Sequence, residues 1–154
     1  MKKLVVFYSR TGNTKFVAEE IAKKLKADID KILDEKDRKR KIIGWIVAGR
    51  DGMKKSLTEI KYKKNPNDYD LVIIGTPIWG WSMTPAIRTY LTNNKFKNVA
   101  FFLTYGGNYK DTFKEMKELS KEPLATLDII DKDIKDNKEQ VFKKIKEFCE
   151  KLYN

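Results

Sequence analysis

Histidine is absent from this 154-residue chain, and cysteine occurs once, as Cys149. Without histidine, every mechanism that needs an imidazole base is excluded, and most zinc chemistry goes with it. A single cysteine excludes an intrachain disulfide and any Cys-x-x-Cys redox or metal motif. Cys149 stands at an apolar helical position near the C-terminus and reads as a buried structural thiol. Long apolar runs are missing too: none approaches the ~18 residues of a membrane helix. The short run after Met1-Lys2-Lys3 is cut by Ser9 and Arg10 and lacks the length and cleavage site of a secretion signal. The chain is therefore expected to be soluble and cytoplasmic. Acidic charge is also scarce. Against 33 Lys and Arg there are 22 Asp and Glu, for a net charge of +11. Such a charge suits nucleic acid, an anionic membrane surface or an acidic protein partner. Arg38 to Lys64 is the most basic stretch, with ten basic residues against two acidic ones. A solvated lysine-rich surface accounts for it equally well.

What is present is a folding sequence: 41% hydrophobic and 12% aromatic residues exclude a disordered chain, and the length fits one domain, 1–154. Leu4-Val5-Val6-Phe7-Tyr8 reads as a strand buried on both faces. Asn13 or Thr14 can cap a helix carrying Phe16, Val17, Ile21 and Leu25. Ile29–Leu33 is a weak second strand, and Ile42–Met53 a helix despite Gly44 and Gly49. Leu71-Val72-Ile73-Ile74-Gly75 is the clearest strand. Thr84 caps, and Pro85 opens, a helix with Ile87 and Leu91. Val99–Leu103 is a strand, Thr112–Leu119 a helix, Leu124–Ile130 a strand. Val141, Ile145, Phe148 and Leu152 mark the last helix by their 3.6-residue period. Lys132–Lys138 reads as a surface connection. Strand and helix alternate five times, which predicts an α/β fold with a parallel sheet covered by helices on both faces.

In an open parallel sheet, ligands bind outside the carboxyl ends of the strands. Ser9-Arg10-Thr11-Gly12-Asn13-Thr14 leaves the first strand and opens a helix. Its hydroxyls and the unpaired N–H groups of a helix N-terminus suit a phosphate, and Gly12 lets the backbone turn sharply. With no Gly-Lys-Ser/Thr and no Gly-x-Gly-x-x-Gly, the triphosphate and dinucleotide loops are excluded. A hydroxyl-rich cradle of this kind suits a terminal monophosphate. A capped turn with no ligand is the plainer alternative.

This loop, placed after an apolar strand, resembles the flavodoxin phosphate loop, whose Ser/Thr-x-Thr-Gly-Asn-Thr pattern it matches. The resemblance covers almost the whole chain and points to a short-chain member. It implies a three-layer α/β/α sandwich with a five-stranded parallel sheet in the order 2-1-3-4-5, binding flavin mononucleotide (FMN) at the switch between strands one and three. It also assigns roles to two further loops. In Thr76-Pro77-Ile78-Trp79-Gly80, Trp79 resembles the family's aromatic residue beside the isoalloxazine ring. Gly80 resembles the small residue whose peptide faces the flavin N5 and reorients on protonation. Many flavodoxins place an acid after that glycine; this chain has Trp81. In Thr104-Tyr105-Gly106-Gly107-Asn108-Tyr109, the glycines allow backbone contacts to the ring edge, and Tyr109 or Tyr105 stacks on the outer face. No catalytic side chain and no metal site is expected.

Three functions follow. The first is an FMN electron carrier, steered by its positive surface to an acidic redox partner. The second is an FMN-dependent NAD(P)H:quinone-type reductase, with Trp79, Trp81 and Met83 walling a pocket over the flavin. The third is a flavin-free binding module that uses the basic stretch, with Trp45 and Tyr62 interleaved. No recognised nucleic-acid motif supports the third.

Overall fold

The computed structural model describes residues 1–36 and 57–153. Its centre is a parallel sheet of five strands: β1 (Lys3–Phe7), β2 (Asp28–Lys31), β5 (Leu71–Trp79), β7 (Val99–Tyr105) and β8 (Thr126–Ile130). Their spatial order is β2-β1-β5-β7-β8. With the five strands counted in chain order, that is the expected 2-1-3-4-5. Two short pieces, β3 (Leu33–Asp34) and β4 (Ile60–Lys61), pair antiparallel in a separate sheet, and β6 (Ser82–Met83) folds back on β5. The helices are α1 (Asn13–Leu25), α2 (Pro85–Asn93), α3 (Thr112–Leu119), α4 (Asp131–Asp136) and α5 (Lys138–Glu150).

The layers follow from side-chain alternation along the central strands. Val5 and Phe7 of β1, Leu71 and Ile73 of β5, and Phe102 of β7 point to one face. There they meet Val17 and Ile21 of α1 and Ile145 and Phe148 of α5. Leu4, Val6, Val72, Ile74 and Phe101 point to the other face and meet Ile87 and Leu91 of α2 and Met116 of α3. Both sets are buried, so the central strands have no wet face, and continuous apolar runs are what such strands require. Each of these large side chains contributes about 1.5–3 kcal/mol by leaving water. Cys149 is buried in the first cluster, where burial pushes its thiol up to about 11.

Several boundaries differ from the sequence reading. Gly12, not Asn13 or Thr14, precedes α1, in a left-handed conformation at φ 104°, and no side chain caps the helix. The second strand ends at Lys31, and Leu33 turns away to pair with Lys61. The last strand begins at Thr126, although Leu124 N–H already bonds Val99 O at 2.8 Å. Lys132–Lys138 is no simple connection: it holds most of α4 and the start of α5, two helices that meet at Asn137. Ile134 explains why, since it is buried in the core while its charged neighbours stay outside. Thr84 caps α2 as expected, its hydroxyl accepting from Ile87 N–H at 3.4 Å. The predicted helix over Ile42–Met53 lies outside the described residues.

Gly75 shows how closely side chains of neighbouring strands pack in the sheet. It pairs with Phe102 on β7, and a Cβ placed on it would fall 1.9 Å from the Phe102 ring. Replacement of Gly75 by Ala is expected to destabilise the protein by about 1–3 kcal/mol, the usual cost of overpacking. Gly75→Ala combined with Phe102→Leu should cost less than the sum of the two single changes in urea unfolding. Strict additivity would show that the ring and the glycine do not meet.

Candidate functional site

Three loops meet at the carboxyl ends of β1, β5 and β7. Strand β1 is flanked by β2 on one side and β5 on the other, so the chain reverses direction beside it and opens a crevice there. The first loop is built around Gly12. Its N–H donates to Ser9 Oγ at 3.2 Å, and its C=O accepts from Phe16 N–H at 2.9 Å. Its positive φ turns the chain into α1 with a geometry that a Cβ would strain. Because no side chain caps α1, the N–H groups of its first turn are left for an external acceptor.

A small cleft of about 60 Å³ lies against that turn, lined by Arg10, Thr11, Asn13, Thr14, Pro77, Ile78, Trp79, Thr104 and Asp131. It is far below the ~300 Å³ of an ordinary small-molecule pocket, so it suits a headgroup and not a ring system. Thr14 and Thr104 are buried, and their hydroxyls bond each other at 2.8 Å, tying α1 to the end of β7. Such a pair uses one of its two hydroxyl protons internally and leaves the other for a second acceptor. The Arg10 guanidinium lies 5.8 Å from the Trp79 ring centre. The donor set is therefore N–H groups, hydroxyls and one guanidinium, which fits a phosphate monoester.

The second loop is a β-hairpin rather than an open loop. Strand β5 runs on to Trp79 and turns back through Gly80 and Trp81, so that Trp79 pairs with Ser82. Both turn residues have positive φ, 53° for Gly80 and 64° for Trp81, as a two-residue hairpin of this hand requires. Trp81 holds a conformation that bulky side chains avoid. Trp79 is buried, with its ring edge-on to Tyr8 at 5.4 Å, whereas Trp81 is half exposed. Thr76, expected to touch a cofactor, is fully buried; its hydroxyl accepts from Thr84 N–H at 3.1 Å and braces the hairpin. A partly buried ion pair also braces it. Arg88 lies 3.2 Å from Glu115 and donates to Ser82 Oγ at 2.8 Å.

The third loop begins later than expected, because β7 continues through Thr104 to Tyr105. The rings of Tyr105 and Tyr109 meet edge-to-face at 4.9 Å, and Tyr109 leans on Phe113 at 5.6 Å. Burial raises both tyrosine hydroxyls above their ordinary pKa, and the Asp128 carboxylate adds to it. Gly106 and Gly107 are exposed, with no atom crowding Gly107. Lys110, at φ 40°, places its ammonium 4.3 Å from the Trp81 ring centre.

Two residues of the site were not anticipated. The Thr112 hydroxyl lies 2.6 Å from Tyr109 O and 3.2 Å from Trp81 O, and so joins the second and third loops. No spacing in the sequence signals that contact. Asp131 lines the phosphate-sized cleft beside Asn13. It could have been noticed, since it directly follows the fifth strand at the ligand-binding end of the sheet.

The fold that carries these loops is found in known proteins. A family model described as flavodoxin matches residues 2–148. The chain belongs to the flavodoxin family. A flavoprotein from Lactobacillus acidophilus, solved in complex with FMN, is 25% identical, with a TM-score of 0.64 over 88% of this chain and 97% of that one. The two-electron reduced flavodoxin of Megasphaera elsdenii gives a TM-score of 0.60 at 18% identity, over 97% and 96% of the two chains. A flavodoxin from the domain Archaea gives 0.55 at 18% identity over the full length of both. These last two share the fold. No curated protein matches the sequence. Among the described residues there is no group of potential metal ligands and no helix long and apolar enough to cross a membrane.

Proposed function

We propose that this flavodoxin-family protein binds FMN at the crevice between β1 and β5 and acts as an electron carrier. The observation that carries the reading is the uncapped start of α1, opening onto a phosphate-sized cleft beneath the Trp79–Trp81 hairpin and the Tyr105–Tyr109 loop. Ser9, Thr11, Gly12, Asn13 and Thr14 would hold the phosphate with N–H groups and hydroxyls, and Arg10 would balance its charge. Pro77, Ile78 and Trp79, at the end of β5, would flank the ring on one side. Tyr105 and Tyr109 stand on the opposite loop, with the exposed Gly106 and Gly107 free to present backbone groups to the ring edge. Bound FMN supplies the one- and two-electron redox chemistry. The protein's part is to bind the flavin, shield one face and set the local field, and no side chain need act as an acid or base.

The reductase reading loses one of its supports. Met83 is fully buried in the core and offers no wall to a substrate; of the expected apolar wall, Trp81 alone is half exposed. The basic stretch invoked for a flavin-free module lies mostly outside the described residues.

Titration of the purified protein with FMN should give a saturable, one-to-one change in flavin absorbance and fluorescence. A protein that leaves added FMN unchanged would refute the reading. The field at the hairpin is positive, because Lys110 stands over Trp81 and Arg10 over Trp79. Less repulsion then acts on the reduced, anionic flavin than where an acid follows the glycine. The second one-electron potential is expected to be less negative than in acidic flavodoxins; a redox titration giving a strongly depressed value would overturn this.

The redox partner we propose is an acidic protein, on the strength of the +11 charge. Electron transfer to such a partner should slow as salt is added. A rate indifferent to ionic strength would remove steering from the account.

A further inference from the structure

The donor set around the phosphate cleft contains one side chain of the wrong charge. Asp131, the first residue of α4, lines the cleft together with Arg10, Thr11, Asn13, Thr14 and Thr104. Its carboxylate faces the Asn13 side chain, at the start of α1, which favours the charged form, and lies 3.8 Å from where a Cβ on Gly106 would stand. A carboxylate here faces a phosphate that is itself half-way through its second ionisation near pH ~6. Two anions cannot share a small, half-dry cleft without penalty.

The surrounding charges do not cancel the conflict. Among the described residues, Arg10 is the one cationic side chain that lines the cleft with Asp131. Lys132, Asp133 and Lys135 lie further along α4 itself. On the elements packed against α4, Lys138 of α5 places its ammonium over Phe16, and Asp128 of β8 is paired with Lys144 at 3.4 Å. In keeping with this, burial already holds the Asp131 carboxyl above the ordinary carboxylate range, with Asn13 opposing it.

We propose that Asp131 makes binding of the FMN phosphate a proton-taking step, in which one proton from solvent is shared between the Asp131 carboxyl and a phosphate oxygen. This rests on the FMN reading above. No covalent bond forms or breaks, and the proton returns to solvent when the flavin leaves. The consequence is a sign. A cradle of N–H groups and one guanidinium prefers the phosphate dianion, so without Asp131 affinity tightens as pH rises through ~6. With Asp131 in the cleft, affinity weakens over the same range, because the shared proton must be lost.

The test is fluorescence titration of FMN into the protein between pH 5.5 and 8.5 at constant ionic strength. For the wild type, the Kd for FMN should rise above pH ~6, by up to tenfold per pH unit. Asp131→Asn, which keeps the shape and removes the charge, should remove that rise or reverse it. Its affinity at pH 8 should exceed the wild type's. Riboflavin, which lacks the phosphate, should bind both proteins with little change across the range and so reports that the variant is folded. A wild-type Kd that is flat or falls with pH would overturn the proposal, as would an unchanged rise in Asp131→Asn. Failure of FMN to bind at every pH would instead remove the flavin reading.

Discussion

Burial of the central strands on both faces is the constraint on which everything else rests. Strands β1, β5 and β7 each direct alternate side chains to opposite sides, and both sides are apolar. Parallel strands so buried must be joined by crossovers that pack helices on the two faces, and crossovers of a single hand limit the order in which they can be laid down. Once β1 sits between β2 and β5, the connections on its two sides diverge at the carboxyl end. The crevice is a by-product of the topology and exists before any side chain in it is specified.

Around that crevice, the loops are held by residues that do not line its small cleft. Thr76 is spent on Thr84, Arg88 and Glu115 on Ser82, and Thr112 on the carbonyls of Trp81 and Tyr109. These contacts oblige the hairpin to present Trp81 at a positive φ that its side chain does not favour. Backbone strain kept by a buried brace is a common mark of a ligand-binding turn.

The outline of the fold was legible because its signals are local. Apolar runs marked β1, β5 and β7, a 3.6-residue period marked α1 and α5, and Thr84-Pro85 marked the start of α2 within a residue. The loop from Ser9 to Thr14 was legible for the same reason: it is one contiguous segment leading from a strand into a helix. Where the reading slipped, long-range pairing had decided. Trp79 was placed in a loop by its Pro and Gly neighbours, but pairing with Ser82 makes it the last residue of a strand. The Thr76 hydroxyl, at the end of an apolar run, turns inward to a partner eight residues away.

The sequence by itself therefore determined the class of fold, the family, and the hydroxyl-rich loop that opens the first helix, since each depends on residues near one another in the chain. The tertiary structure alone decided which side chains share the cleft. Asp131 lies 118 residues from Asn13, and Thr104 lies 90 from Thr14; only the packing of β8 beside β7, and of α1 across the sheet, brings each pair together. Electrostatic conflict and hydroxyl pairing are set by distances of a few ångströms, and such distances between remote residues are fixed by the fold rather than by the order of the chain.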